Sequence, residues 1–323
     1  VGCFFVRLIQ KKKISRCSQV EPIVLVHGGA DYIPEHRIQA RLNGVKNAAS
    51  LGYKVLKRGG SVTDAVEEAV RSMEADESFN AGYGSALNLD GEIEMDASIM
   101  VGSNMSSGAV TVVKNIEHPV SLARLVMEKS PHFSLAGEGA KRFARDQRVP
   151  LVHNLVTKIA KADLQEVHHS NQTQLEMRGG GGVGAIAINS NGQLAAASSS
   201  GGGIGRMPGR CSDASVIGAS IYVTDDVGAV AATGYGESIA RYNLAHEIVN
   251  HMKRGFDAGV ATRNGVKGLT ERFHRPSGAI TISKTGQIGI SFTSEKMAWA
   301  YQVREDLHFG IDDYDDFNEK IIL

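Results

Sequence analysis

The chain has 323 residues, with 35 Lys and Arg against 35 Asp and Glu, so its formal net charge is zero at neutral pH. This balance argues against a nucleic-acid-binding protein, which normally needs a basic surface. Apolar residues make up 42% of the chain, a fraction typical of a globular fold and too high for a disordered protein. No run of 18 apolar residues occurs, so we expect no membrane span.

Cysteine and glycine usage add two further constraints. The three cysteines, Cys3, Cys17 and Cys211, cannot build a disulfide framework, which favours a reducing, cytoplasmic location. Glycine is unusually frequent, with 37 residues against only 7 prolines. This composition predicts a fold with many tight turns and close backbone approaches.

Residues 1–20 form a basic extension that contains five Lys and Arg and no acidic residue. Two interpretations stay open, a disordered extension and the remnant of an organelle-targeting segment. We expect residues 21–323 to form a single domain.

Strand and helix patterns alternate in the first half of the chain. The β-branched run 22–27 predicts a buried strand that ends in a glycine turn. Apolar spacing predicts a helix over 37–57 and another over 62–73, where Ser61 and Asp64 form a capping-box variant. The remaining predictions for this half are turns over 79–87, strands over 93–101 and 108–114, and helices over 119–128 and 133–147.

Residues 153–181 differ in composition from the preceding segments, because they are polar and contain three histidines. They lead into a run of four glycines, residues 179–182. This composition predicts an exposed, flexible loop. Beyond the loop the apolar period changes to two, apart from one helix predicted over 237–252. The predicted strands there are 183–189, 193–199, 219–224, 229–233, 279–283 and 287–292. The order of these elements favours an α+β layered fold with a largely antiparallel core.

Two familiar motifs are present only as strings. Gly179-x-Gly181-x-x-Gly184 matches a dinucleotide-binding fingerprint, but it follows a polar loop and opens a strand instead of a helix. His246, Glu247 and His251 resemble a zinc motif with one residue too many, so the two imidazoles leave the helix on different faces.

A glycine- and serine-rich block, residues 181–237, carries the groups that can do chemistry. Ser200 ends a strand among small residues, which lets a ligand approach and be hydrogen-bonded. Arg210 and Asp213 provide a cation and an anion that suit the carboxylate and ammonium of an α-amino acid. Thr233 and Gly234 could offer a hydroxyl and a backbone N–H to a developing oxyanion. The block is equally readable as a set of turns with solvated charges.

The chain resembles the plant-type L-asparaginase/isoaspartyl peptidase family of N-terminal-nucleophile hydrolases from about residue 23 to about residue 311. The resemblance rests on LVHGGA (25–30), FNAGYGSALN (79–88), VGAIA (183–187), SGGGIGRMPGR (200–210), SDAS (212–215), TGYGES (233–238), SEKMAWA (294–300) and LHFGI (307–311). It implies a four-layer αββα sandwich. It also implies a precursor that cleaves itself into an α part, 21–181, and a β part, 182–323.

In this family a threonine becomes the amino terminus of the β chain, where its hydroxyl attacks the substrate while its own α-amine takes the proton. An α-amine titrates at about 7.7–8.0, which suits that role near neutral pH. The corresponding position here, directly before VGAIA, is Gly182. Glycine has no hydroxyl, so the sequence predicts that self-cleavage and hydrolysis are lost or severely reduced.

The other functional positions of the family are present by resemblance. Ser200 stands where the family has a supporting threonine, and Thr233 and Gly234 match its oxyanion positions. The substrate-binding positions map to Asn80, Arg210, Asp213, Thr233 and Gly234. The resemblance implies no organic cofactor. It does imply a structural monovalent cation such as Na⁺, held by the backbone of Met73, Glu74, Asp76, Phe79, Ala81 and Tyr83.

We therefore interpret the chain as an asparaginase/isoaspartyl-peptidase homologue without its nucleophile, which binds asparagine, aspartate or β-aspartyl dipeptides and forms a homodimer. One alternative is an active threonine hydrolase in which Gly182 is a substitution or a sequence error. A second is a non-catalytic aspartate-binding protein. A third is the glycosylasparaginase branch, against which the lack of paired cysteines and of a clear signal peptide argues.

Overall fold

The computed structural model describes residues 20–169 and 181–321, and all structural statements below concern these ranges. The strands are β1 (Ile23–Asp31), β2 (Met95–Val101), β3 (Ser107–Val113), β4 (Ser134–Ala136), β5 (Val183–Ile188), β6 (Leu194–Ser200), β7 (Ile221–Thr224), β8 (Gly228–Gly234), β9 (Ser277–Ser283), β10 (Ile288–Phe292), β11 (Lys296–Val303), β12 (Asp306–Gly310) and β13 (Phe317–Lys320). They form a nine-stranded sheet in the order β13-β12-β11-β1-β5-β6-β2-β3-β4 and a four-stranded sheet in the order β10-β9-β8-β7.

Helices cover the outer face of each sheet. They are α1 (Glu35–Lys57), α2 (Val62–Glu74), α3 (Pro119–Lys129), α4 (Gly137–Asp146), α5 (Lys158–His169), α6 (Gly236–Tyr242), α7 (Leu244–Lys253) and α8 (Ala258–Phe273). One apolar core lies between α1–α5 and the larger sheet, a second lies between the two sheets, and a third lies between the smaller sheet and α6–α8. The predicted four-layer αββα sandwich is therefore confirmed.

Strand β1 shows why its sequence reads as a continuous apolar run. Val24 and Val26 pack towards the helices, whereas Ile23 and Leu25 pack between the sheets, so both faces of the strand are buried. Strand β5 pairs antiparallel with β1 on one side and with β6 on the other. The parts of the chain before and after residue 182 thus share one sheet, and β5 lies at its centre.

Most of the predicted elements are confirmed within one to four residues of their ends. The capping box of α2 forms as predicted, since the Ser61 hydroxyl accepts the Asp64 N–H and the Asp64 carboxylate accepts the Ser61 N–H. The segment 79–87 contains a short 3-10 turn at Gly82–Gly84. The helix predicted over 133–147 begins later, after the short strand β4.

Two predictions are wrong. The exposed loop predicted over 153–181 contains helix α5, which buries Ala160 and Leu164 and is attached to α1 by an ion pair of 3.0 Å between Arg37 and Asp163. Residues 170–180 of that loop lie outside the described residues, as do residues 1–19 of the basic extension. The helix predicted over 237–252 is interrupted at Asn243, whose φ of 57° is left-handed and separates α6 from α7.

Four elements carry no prediction at all, namely α8, β11, β12 and β13. Helix α8 contains three glycines, which weaken its helical pattern, and it forms because Asp257 caps it and its apolar face packs on the smaller sheet. Within the described residues, no helix has the length and apolarity needed to cross a lipid bilayer.

The glycines of α8 give a test of this packing. A Cβ at Gly265 would lie 2.4 Å from Cγ1 of Ile248, so Gly265→Ala should destabilise the protein by about 1–3 kcal/mol through overpacking. A Cβ at Gly259 would meet only the Asp257 carboxylate at 3.4 Å, so Gly259→Ala should be neutral or stabilising by up to about 1 kcal/mol. Urea unfolding of both variants measures the difference, and equal effects would contradict the packing described for α8.

Candidate active site

The predicted site residues meet at one end of the two-sheet sandwich. Gly182 directly precedes β5, Ser200 is the last residue of β6, and Thr233 and Gly234 end β8 in the other sheet. Antiparallel pairing of Val183 with Ser199 places Gly182 beside Ser200. The structure therefore brings together residues that are up to 52 positions apart in the sequence.

The backbone around Gly182 leaves no room for a side chain at this position. A Cβ at this position would lie 2.5 Å from the Ser199 carbonyl oxygen and 2.7 Å from Cβ of Ser200. Both distances are shorter than van der Waals contact. A larger residue at 182 therefore requires the end of β6 to move.

The hydroxyl groups next to Gly182 are bonded to backbone. The Thr233 hydroxyl accepts the Ala30 N–H and donates to the Gly182 carbonyl, both at 3.3 Å. The Ser200 hydroxyl accepts the Gly202 N–H at 3.0 Å. Thr233 thus links β8 to the segment in front of β5.

Asn80 connects the glycine-rich loop after α2 to the end of β6. Its side-chain nitrogen donates to the Gly202 carbonyl at 2.7 Å, and its side-chain oxygen accepts the Ala86 N–H at 2.9 Å. The Asn80 carbonyl also accepts the Gly201 N–H. Both polar atoms of the Asn80 side-chain amide are therefore hydrogen-bonded within the protein. Asn80 connects two segments next to the predicted site.

Arg210 and Asp213 converge at the start of α6. A Cβ at Gly236 would lie 2.8 Å from Nη2 of Arg210 and 2.5 Å from Oδ1 of Asp213, so only glycine permits this approach. Arg210 also forms an ion pair with Glu237, in which Nε and Nη2 both lie 2.9 Å from Oε1. Within residues 20–169 and 181–321, the guanidinium forms its ion pair through Nε and Nη2, and Nη1 has no hydrogen-bond acceptor.

Burial raises the pKa of Asp213 to about 7, and the positive charge of Arg210 offsets only part of this effect. Asp96 and Glu237 act in the same direction as burial because they are like charges. A ligand ammonium next to Asp213 would favour the ionised carboxylate. The structure thus places a cation and a titratable carboxyl group side by side at the start of α6.

Sequence reasoning did not assign two residues of this pocket, Gly236 and Glu237. Both lie in the TGYGES segment, directly after the predicted oxyanion residues. The signal available in the sequence was Glu237, an acidic residue at the predicted start of a helix, directly after Gly236. Its pairing with Arg210, 27 positions earlier, requires the fold and could not be read from spacing.

The loop predicted to bind a monovalent cation is tightly packed around two glycines. The carbonyl oxygens of Glu74 and Phe79 lie against the Cα atoms of Gly82 and Gly84, where an added Cβ would be 2.3 and 2.0 Å away. The Ala81 carbonyl accepts the Gly84 N–H and keeps a second lone pair. Among residues 20–169 and 181–321, no cluster of three or more His, Cys, Asp or Glu is placed to hold a metal ion. A cation held by the backbone remains a proposal.

Comparison with known proteins agrees with this architecture. A model of the asparaginase family matches residues 20–311. The chain is 41% identical over 304 residues to the isoaspartyl peptidase/L-asparaginase of Danio rerio, covering 93% of this chain and 98% of that protein. It is 43% identical over 298 residues to the protein of the same name from Homo sapiens, covering 91% and 97% respectively. The fold is that of the N-terminal-nucleophile hydrolases, and the chain belongs to the asparaginase family.

Asp213 gives a pH-dependent test of the pocket. Its folded-state pKa of about 7 exceeds the ordinary value of 3.8, so the folded protein binds the proton more tightly and loses stability as the pH rises through this window. Asp213→Asn should therefore gain stability relative to the unmodified protein between about pH 4 and pH 7, with no further gain at higher pH. Denaturant unfolding at a series of pH values measures this difference.

Asp306→Asn is the matched control for that experiment. A hydrogen bond from Lys320 lowers the pKa of Asp306 in the folded protein. The ionised Asp306 carboxylate therefore stabilises the folded state, and this contribution is lost as the pH falls. Its replacement should give a difference of the opposite sign. Parallel stability curves for Asp213→Asn and the unmodified protein would contradict the raised pKa of Asp213.

Proposed function

We propose that the chain is an asparaginase/isoaspartyl-peptidase homologue that binds aspartate-like ligands and has lost most or all of its hydrolytic activity. The observation that carries this proposal is the position of Gly182, which lies in front of β5 between Ser200 and Thr233 without any side chain. The relatives named above are isoaspartyl peptidases/L-asparaginases. Their reaction, by the family mechanism, needs a hydroxyl and a free α-amine on the same residue.

Glycine at this position removes two steps at once. Without a hydroxyl, residue 182 cannot attack the carbonyl of residue 181, so the chain keeps no route to a new amino terminus by self-cleavage. Without cleavage, the nitrogen of Gly182 stays in a peptide bond and cannot act as a base. An acyl-enzyme at residue 182 has no atom on which to form.

The neighbouring groups do not supply a replacement. The Ser200 and Thr233 hydroxyls belong to residues inside the chain, so neither has an α-amine of its own. His27, on the strand next to β5, is fully buried, and this burial lowers its pKa to about 3. An imidazole with so low a pKa is a poor general base at neutral pH. These contacts support a loss of the chemical step.

The binding half of the site supports retained recognition. Arg210 has its Nε and Nη2 edge paired with Glu237, and Nη2 of Arg210 and Oδ1 of Asp213 both lie against Gly236. A carboxylate on Arg210 and an ammonium on Asp213 would satisfy both charges through charge-assisted hydrogen bonds. We propose L-aspartate, L-asparagine and β-aspartyl dipeptides as the ligand class.

An active threonine hydrolase is the second candidate, and the presence of Ser200, Thr233, Gly234, Arg210 and Asp213 favours it. In that case the residue at 182 in the natural chain is a threonine. Sequencing codon 182 from genomic DNA separates the two candidates directly.

Ligand binding should depend on Arg210. L-aspartate should raise the melting temperature in a dose-dependent way, because it binds the folded state. Arg210→Ala should abolish this shift, since it removes the partner of the ligand carboxylate and leaves that charge unpaired. Arg304→Ala, which removes an exposed arginine paired with Glu21 at the surface, serves as the control and should keep the full shift. An identical shift in Arg210→Ala and the unmodified protein would refute the pocket.

Processing should depend on a hydroxyl at residue 182. The purified protein should run as one chain of 34.5 kDa, and Gly182→Thr should restore partial self-cleavage together with measurable release of ammonia from L-asparagine. The recovery is expected to be partial, because the new Cβ must displace the end of β6, and a misplacement of about 1 Å can cost on the order of a hundredfold in rate.

Two further variants separate sterics from chemistry in that experiment. Gly182→Ala introduces the same Cβ without a hydroxyl and should stay uncleaved, and Gly182→Thr combined with Thr233→Ala should lose the recovered activity. Gel electrophoresis and a coupled ammonia assay score all four proteins. A folded but intact and inert Gly182→Thr would show that the site has diverged beyond residue 182. Enzyme-like turnover by the unmodified protein would show that it is not a pseudoenzyme.

A further inference from the structure

Two buried carboxylates hold the loop that carries Arg210 and Asp213 through hydrogen bonds to its backbone. We call residues 209–213 the clamp loop. Glu94 directly precedes β2, and Asp96 is the second residue of that strand. They are only 4% and 3% exposed, and each accepts a backbone N–H of the clamp loop.

Glu94 holds the residue directly before Arg210. Its Oε2 atom accepts the Gly209 N–H at 2.9 Å, and its Oε1 atom lies 3.4 Å from the Lys114 ammonium. Burial alone would raise the pKa of Glu94, but the Gly209 hydrogen bond and the charge of Lys114 help to lower it below its ordinary value. Glu94 is thus ionised at neutral pH, when it is the stronger acceptor.

Asp96 holds the residue directly before Asp213. Its Oδ2 atom accepts the Ser212 N–H at 2.8 Å, while Oδ1 accepts the Thr111 hydroxyl and the Val112 N–H. Val112 has a φ of 53°, a left-handed conformation that is strained for a β-branched residue. Strain of this kind persists where the surrounding structure enforces it, often next to a functional site.

Arg206 supplies the positive charge beneath the loop. It is 2% exposed and donates to the carbonyls of Ala86, Gly203 and Glu94. Burial lowers its pKa to about 10, and the charges of Asp96 and Glu94 oppose that effect, so the guanidinium stays ionised. The two carboxylates are therefore compensated from within the protein and do not need the ligand as a counter-charge.

We propose that Glu94 and Asp96 are positioning residues for different groups of the ligand. Glu94 places Arg210 for the ligand carboxylate, and Asp96 places Asp213 for the ligand ammonium. This inference rests on the proposed function, because it assumes that Arg210 and Asp213 bind an α-amino acid. The division follows from the chain itself, since each carboxylate accepts the N–H of the residue directly before one of the two binding side chains.

The isosteric variants Glu94→Gln and Asp96→Asn test the proposal with three ligands. An amide that keeps its oxygen towards Lys114 or Val112 turns its NH₂ group towards the clamp-loop N–H, so the anchoring hydrogen bond is lost. L-aspartate carries both ligand groups, succinate lacks the ammonium, and β-alanine lacks the α-carboxylate. Calorimetry or NMR titration of each ligand gives the dissociation constants.

Glu94→Gln should weaken aspartate and succinate by about tenfold and β-alanine by less than about twofold. Asp96→Asn should weaken aspartate and β-alanine by about tenfold and leave succinate nearly unchanged. Tenfold corresponds to the loss of one charge-assisted hydrogen bond. Asp225→Asn is the control, because the Asp225 carboxylate accepts the Leu194 N–H at 2.9 Å and, within the described part of the chain, makes no hydrogen bond to the clamp loop. This variant should change stability without changing any dissociation constant. Equal weakening of all three ligands by Glu94→Gln or Asp96→Asn, or no weakening, would overturn the proposal.

A ligand-free measurement separates this proposal from the proposed function. The NMR signal of the Arg210 Nε–H reports its hydrogen bond to Glu237. It should shift or broaden in Glu94→Gln and stay unchanged in Asp96→Asn. If the unmodified protein binds none of the three ligands, the proposed function fails while this signal still decides whether Glu94 places Arg210. An unchanged signal in Glu94→Gln would refute that placement.

Discussion

The antiparallel pairing of β5 with β1 and β6 is the constraint on which the site depends. It fixes the first residues of β5 at the centre of the larger sheet, beside the last residue of β6 and opposite the end of β8. Residue 182 occupies this point whatever its side chain is. The fold therefore fixes the place of residue 182, and the proposed function depends on the glycine found there.

The binding half of the site depends on a different physical principle, the compensation of buried charge. Arg210 is paired with Glu237, and the carboxylates of Glu94 and Asp96 lie near the ionised Arg206. Because these charges are compensated within the protein, they need no ligand charge to offset their burial. Under the proposed function, recognition of an amino acid can therefore persist without hydrolysis.

Sequence patterns predict the local features of this fold and fail where tertiary contacts decide. The capping box of α2 and the buried run of β1 are local signals, and both are confirmed. The break between α6 and α7 was missed because Asn243 adopts a left-handed conformation inside an otherwise continuous apolar pattern. At the site, residue chemistry indicated Arg210 and the resemblance supplied Gly182, whereas Glu94 remained hidden because its partner Gly209 lies 115 positions away.

The most direct test of the central claim is to incubate the protein with L-asparagine in ¹⁸O-labelled water and identify the bound and free ligand by mass spectrometry. The account predicts a complex with unaltered asparagine and an intact polypeptide chain. Aspartate that carries one ¹⁸O atom and accumulates over many turnovers, in an amount proportional to the protein and lost in Arg210→Ala, would contradict it.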